Sequence, residues 1–211
     1  MKYRFRFLFA LVFCLTAPAF LGGCALLETP PPPLAQVLLV PTPPAAAPEA
    51  GARMPLQLTV VEPAADSVAS SDRISAVFNG FEVRYLADAR WSAPVPKLLQ
   101  RLFIESLEAG GRFAGVGDGG SGMRSDIRLN TDIKRFGLRY RDARTPVVEA
   151  SLTFRLLDVK TGRILGTLGI AEEEAAGEDS VAHYVLAFNT MMGRVLSQLS
   201  VWTAATVNET L

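Results

Sequence analysis

Few of the 211 residues combine the type and spacing that chemistry needs. Cys24 is the strongest candidate. It follows Leu21-Gly22-Gly23 at the end of an apolar run. Its thiol is a nucleophile, and the two small glycines leave the backbone beside it open to approach. The other candidates are weaker. Gly117-Asp118-Gly119-Gly120-Ser121-Gly122 has G-x-G-x-x-G spacing, but phosphate binding there needs a helix to follow. A strand pattern follows instead, from Ser125, so the segment reads as a flexible loop. His183 is the sole histidine; a metal cluster or an Asp-His-Ser relay would rest on it alone. It reads as a solvent-facing or helix-packing residue. Glu172-Glu173-Glu174 could hold a cation, and reads more simply as a solvated strand end or helix lead-in. Met191-Met192 reads as core filler. No pair of groups has the support that catalysis requires. The expectation is a protein that is not an enzyme and takes no cofactor or metal.

Cys24 gains meaning from what precedes it. Residues 1–23 carry Lys2, Arg4 and Arg6, no acid, and an apolar run from Phe7 to Phe20. That run is too short to span a bilayer, which takes roughly 20 residues. A basic start, an apolar middle and a small-residue end mark a secretory signal peptide. Leu21-Gly22-Gly23-Cys24 resembles the lipobox of bacterial lipoproteins, which implies that Cys24 becomes the first mature residue. It would then carry a diacylglycerol (palmitate-type chains) and an N-acyl chain. Ala25 stands where an Asp would resemble an inner-membrane retention signal, so the resemblance leans toward the outer membrane and its periplasmic face.

Composition agrees. The chain has 21 bases and 21 acids, which argues against nucleic-acid binding driven by phosphate neutralisation. The leader holds three of those bases and none of the acids, so its removal leaves 18 against 21, a net of −3. Cys14 leaves with the leader, so a mature chain has no internal disulfide. Residues 24–54 form an acylated Cys followed by a Pro/Ala-rich tether. Pro30 to Pro33, Pro41, Pro43, Pro44 and Pro48 lie within it. Such a segment favours extended polyproline and buries no core. Residues 36–40, Gln-Val-Leu-Leu-Val, interrupt it as a short strand suited to a sheet edge.

The globular region is expected over 55–205, with a tail at 206–211. Leu56, Leu58 and Val60 alternate as a strand. Arg73 to Phe78, Asn79-Gly80 and Phe81 to Tyr85 make a hairpin. Ser92 and Pro94 open a helix whose stripe is Val95, Leu98, Leu99, Leu102, Phe103 and Leu107, stopped by Gly110-Gly111. Ile127, Leu129, Thr131 and Ile133 alternate against Arg128, Asn130, Asp132 and Lys134. Val148 to Leu156 and Ile164 to Ile170 repeat the pattern. A last helix carries Val181, Tyr184, Val185, Phe188, Met192, Val195, Leu199 and Trp202. The expected fold is α+β: a mostly antiparallel sheet of about five to six strands, with two long helices packed on one face. Trp91, at the junction of hairpin and helix, either anchors that corner from inside or offers a partner contact together with Arg84 and Arg90.

Several runs resemble a known family. They are Ser71-Asp72-Arg73-Ile74, the block from Phe81 through Trp91 to Pro94, and Leu107 to Val116 with its Gly110-Gly111-Arg112-Phe113. The resemblance covers roughly residues 36–203. It is to the ABC-type transport auxiliary lipoprotein component family (PqiC-like lipoproteins). It implies a non-catalytic, outer-membrane-anchored periplasmic lipoprotein serving an ABC/MCE-type intermembrane lipid transport system. The implied partners are an MCE-domain protein and an ABC permease and ATPase, and some relatives form rings of copies. Only Cys24 maps onto a chemically defined position. Two other readings stay open on the residues: a lipoprotein regulator of cell-wall synthesis, and a small lipid-binding carrier.

Overall fold

The computed structural model of the chain describes residues 34–42, 53–120, 122, 124–140 and 146–210. Cys24, the leader and most of the proline-rich segment lie outside them. The elements are β1 (Ala35–Val37), β2 (Met54–Val60), β3 (Ala64–Ala65), β4 (Arg73–Phe78), β5 (Glu82–Trp91), α1 (Val95–Ala109), β6 (Phe113–Gly117), β7 (Ile127–Tyr140), β8 (Pro146–Asp158), β9 (Ile164–Ala175) and α2 (Val181–Thr210). The compact unit opens at Leu34, so the short strand ahead of position 55 belongs to it.

The class is α+β, but the sheet departs from the expected one. Among the described residues it has nine strands, and five of its eight pairings are parallel. The reason lies in β7, which is 14 residues long. One edge pairs with β8 antiparallel along its whole length. The other edge is shared by three short strands, all parallel to it. β2 lies beside Ile127–Leu129, β3 beside Asp132 and Ile133, and β4 beside Leu138 and Arg139. Pro63, which has no N–H to give a ladder, falls in the break between β2 and β3. Neighbours along the sequence suggest hairpins; here strands far apart in sequence complete the sheet.

β7 keeps one face buried across a bulge. Ile127, Leu129, Thr131 and Ile133 are buried as the alternation requires. The register then shifts between Ile133 and Arg135, and the extra residue returns Phe136 and Leu138 to the same face. Leu152, Phe154 and Leu156 of β8 extend that face. Both helices pack on it. Phe103 of α1 meets Phe154 edge-on at 5.3 Å, and Phe188 of α2 meets Phe136 at 5.2 Å. The six expected positions of the α1 stripe are all buried. Ser92 does not cap the helix: Pro94 is its N-cap, with no side-chain hydrogen bond, and Pro96 sits in its first turn. Gly111, at φ +64°, ends it.

β9 runs further than expected. The sequence places Glu172–Glu174 at a strand end or helix lead-in, and the structure makes all three part of the strand. The Asn79-Gly80 turn forms with both residues at positive φ, 53° and 80°; the register pairs Phe78 with Glu82, so the loop is three residues long and includes Phe81. The glycine-rich loop has a structural task. β6 and β7 pair with opposite edges of β2, so the loop must carry the chain across that strand. A Cβ on Gly119 would lie 3.2 Å from Thr59 Cγ2, and its φ is +85°.

Gly137 marks the tightest approach, where β4 closes on β7. A Cβ there would meet Ser75 Oγ at 2.3 Å and Ser75 O at 2.9 Å. Gly137→Ala is therefore expected to cost about 1–3 kcal/mol, the range for overpacking. Gly169→Ala, where nothing lies within 4 Å, is expected to cost nothing. Urea unfolding midpoints of the two variants check the contrast.

Candidate interaction surface

The sequence-derived contact residues do not assemble into one site. Trp91 is buried, its ring 5.0 Å from Phe188 at 84° and 5.9 Å from Phe136. It anchors the corner from inside and offers no surface, which removes it as a partner contact. Arg84 is exposed, pairs with Glu82 at 2.6 Å, and lies over the Phe78 ring. Arg90 pairs with Asp72 at 3.6 Å. Six residues of strand put the two arginines roughly 20 Å apart. His183 bonds Ser180 Oγ through Nδ1 at 2.8 Å and lies 3.6 Å from Glu178. Met191 and Met192 are fully buried core residues. No helix follows the glycine loop, so the phosphate-loop geometry does not form. Among the described residues no three His, Cys, Asp or Glu side chains gather as metal ligands.

What the structure does gather is charge, on the face of the sheet turned away from the helices. Arg155 of β8 reaches Asp132 of β7 at 2.6 Å, and Lys134 approaches the same carboxylate at 4.0 Å. Further along, Glu149 of β8 stands between Arg135 at 3.4 Å and Arg139 at 3.1 Å. Arg139 also reaches Glu173 of β9. The row thus crosses three strands. Glu149 is buried. A buried carboxylate is tolerated only when it is paired and hydrogen-bonded. Burial works against the Arg139 charge, but hydrogen bonds to Glu149 and Glu173 outweigh it and hold the guanidinium pKa above its ordinary value.

Beside this row lies a small cavity of about 170 Å³. Val68, Val77 and Val83 give it an apolar side; Lys134, Arg135 and Glu149 give it a charged one. Such a surface recognises shape and charge.

Alternation showed that Arg128, Asp132 and Lys134 share the outer face. It missed the Glu149 row, because the bulge after Ile133 shifts the parity of Arg135 and Arg139. The sequence signal was available in β8, where Glu149 sits between Val148 and Ala150, both buried on the helix side.

A second polar group closes the helix side. Tyr140 donates to Asp179 at 2.8 Å and lies 3.0 Å from the Tyr184 hydroxyl. Tyr184 bonds the same carboxylate. Burial first, then the bond to Asp179, pushes the Tyr140 phenol well above its ordinary value.

Compared with known proteins, the chain matches the family described as the ABC-type transport auxiliary lipoprotein component over residues 37–200. It belongs to that family. A crystal structure of a Xanthomonas campestris protein has the same fold, with a TM-score of 0.71 and 24% identity. That likeness covers 83% of this chain and 96% of that one. A second crystal structure, of an uncharacterised protein, has a TM-score of 0.60 at 16% identity, over 82% of this chain and 98% of the other. These two likenesses concern fold. An uncharacterised protein of Bradyrhizobium diazoefficiens is 28% identical over 156 residues. The match takes in 71% of this chain and only 40% of that protein, so this chain spans less than half of its length.

Two outcomes are expected. Glu149→Ala removes the carboxylate that Arg135 and Arg139 share, while both guanidiniums keep access to solvent and Arg139 keeps Glu173, and should destabilise by about 1–2 kcal/mol; Arg84→Ala should stay within about 0.5 kcal/mol. Chemical denaturation reads both. The raised Tyr140 pKa contributes stability that is fully present below about pH 10, the unfolded value. It is lost as pH rises toward the folded one. The unfolding midpoint of the wild-type protein should therefore fall more steeply above pH 10 than that of Tyr140→Phe.

Proposed function

We propose that this chain is a non-catalytic periplasmic lipoprotein, anchored in the outer membrane, that serves an ABC/MCE-type intermembrane lipid transport system. The carrying observation is the extent of the family match, from Val37 at the end of β1 to Ser200 in α2. It takes in nearly the whole compact unit. The Leu21-Gly22-Gly23-Cys24 sequence supports acylation of Cys24, and two or three acyl chains make a stable anchor at roughly 0.8 kcal/mol per buried CH₂. Ala25 supports the outer membrane. The partners in this reading are an MCE-domain protein and the ABC permease and ATPase behind it. The outer sheet face, where Arg128, Lys134 and Arg135 are exposed, is the surface we assign to an acidic region of the MCE protein.

Cys24→Ala should abolish incorporation of labelled palmitate and move the chain from the membrane to the soluble fraction. Tagged full-length chain purified from membranes should carry an MCE-domain protein and a permease. Arg128→Glu with Lys134→Glu should cut that recovery several-fold at an unchanged unfolding midpoint. Recovery of a peptidoglycan synthase in their place would overturn the transport reading.

A further inference from the structure

Four strands of the sheet have a single partner strand, β1, β3, β6 and β9; they are treated differently, and β3 has only two residues. An outer strand presents unpaired N–H and C=O groups, and proteins usually guard such rows. β1 is only three residues long. Arg53 guards the opening of β6, donating through Nε to Phe113 O at 3.0 Å and through Nη2 to Ala114 O at 2.8 Å. β9 has twelve residues. Its guard is Arg194, whose Nη2 donates to Glu173 O at 2.9 Å, and this covers one end.

Parity shows which groups remain open. Ala176 N–H donates to Pro146 O at 3.1 Å, one step beyond the Val147–Ala175 pair. Antiparallel partners alternate between pairs that exchange hydrogen bonds and pairs that turn theirs away. Counting back, residues 174, 172, 170 and 168 bond to β8, and 173, 171, 169 and 167 point outward. The Arg194 bond to Glu173 O fits this parity. Thr167, Gly169 and Ala171 therefore direct N–H and C=O along a free edge, and no hydrogen bond among the described residues reaches them. The stretch Ile164–Ala171 contains no charge and no proline. None of the usual guards protects it.

Helix α2 changes character at the same place. Arg194, Gln198, Val201 and Ala205 recur at i, i+4, i+7 and i+11, so they share one flank. Arg194 and Gln198 both bond Glu172, which puts that flank over β9. Val201 and Ala205 follow, apolar and exposed; Val201 is 65% accessible. Trp202 and Thr206 lie over Gly166 and hold this half of the helix above the unguarded half of the strand.

We propose that Ile164–Ala171 is a strand-pairing interface between two copies of this chain, joined antiparallel about Gly169. The edge is self-complementary. Gly169 would face Gly169, and Thr167 would face Ala171, giving about six backbone hydrogen bonds. The two-fold places Arg163 of one copy toward the Glu172–Glu174 row of the other. It also brings both Val201 flanks to the same side of the joined sheets. Each copy thus offers the same patch, as an isologous contact requires. This interface goes beyond the transport reading and does not depend on it.

Cysteine cross-linking of the full chain in cells tests the register. A Cβ at 169 meets nothing within 4 Å, so Gly169→Cys should unfold at the wild-type temperature. Facing Cα atoms in such a pair are about 5.5 Å apart, within disulfide range. Gly169→Cys should give a disulfide dimer of twice the chain mass. Thr167→Cys alone should not, whereas differently tagged Thr167→Cys and Ala171→Cys chains expressed together should cross-link. Ala171→Lys should lower the dimer fraction at least tenfold in sedimentation. The proposal is overturned if folded Gly169→Cys stays monomeric. It is equally overturned if Thr167→Cys alone or Gln36→Cys on β1 cross-links as well, or if position 169 is captured by a different protein.

Discussion

The fold depends on the double pairing of β7. Its length lets one edge hold β8 throughout while the other collects β2, β3 and β4 in turn. Each of those three ladders is two or three residue pairs, too short to persist alone. β7 supplies the shared edge that makes them cooperative. The price in sequence is a bulge after Ile133 and a glycine at 137, where the β4 backbone comes within contact distance. Nearly everything else follows. The buried face of β7 and β8 sets where α1 and α2 pack, and their outward face sets where the charges meet.

Part of this was readable in the residues and part was not. Local periodicity is carried by each segment alone, so the α1 stripe, the β7 and β8 alternations and the Asn79-Gly80 turn were all legible. Strand count and direction are long-range properties. Nothing in Ala64-Ala65 signals a strand, because its partner is Asp132 and Ile133, far away in sequence. The parallel pairings were hidden for the same reason. On the candidate surface, Arg128, Asp132 and Lys134 followed from alternation, while Arg135, Arg139 and Glu149 were obscured by the bulge. Trp91 shows the opposite limit: its sequence position fits an anchor inside the corner or a contact at the surface, and the packing of Phe136 and Phe188 around it makes it internal.

Charge is used on this protein with economy. Arginine appears at two distinct jobs. Arg53 and Arg194 satisfy backbone carbonyls at strand ends, a task for which a planar fork of donors suits better than an ammonium. Arg135, Arg139 and Arg155 bridge strands through carboxylates. Arg194 does both, binding Glu172 and Glu174 as well as Glu173 O, and those carboxylate bonds hold its pKa above the ordinary value. Its position stitches α2 to the outermost strand where no third sheet neighbour exists.

The place where β1 enters the sheet has a mechanical side. Whatever load the preceding chain transmits arrives at Leu34. It meets a ladder of three residue pairs with β5, the Ser92 N–H bond to Val37 O, the buried Leu39, and the Val40 N–H bond to Asn189. A pull along β1 strains these bonds together, in shear; a pull across it opens them one at a time, like a zip. The strand is therefore a directional fuse. A sideways tug opens its three pairs before it loads the long ladder between β7 and β8.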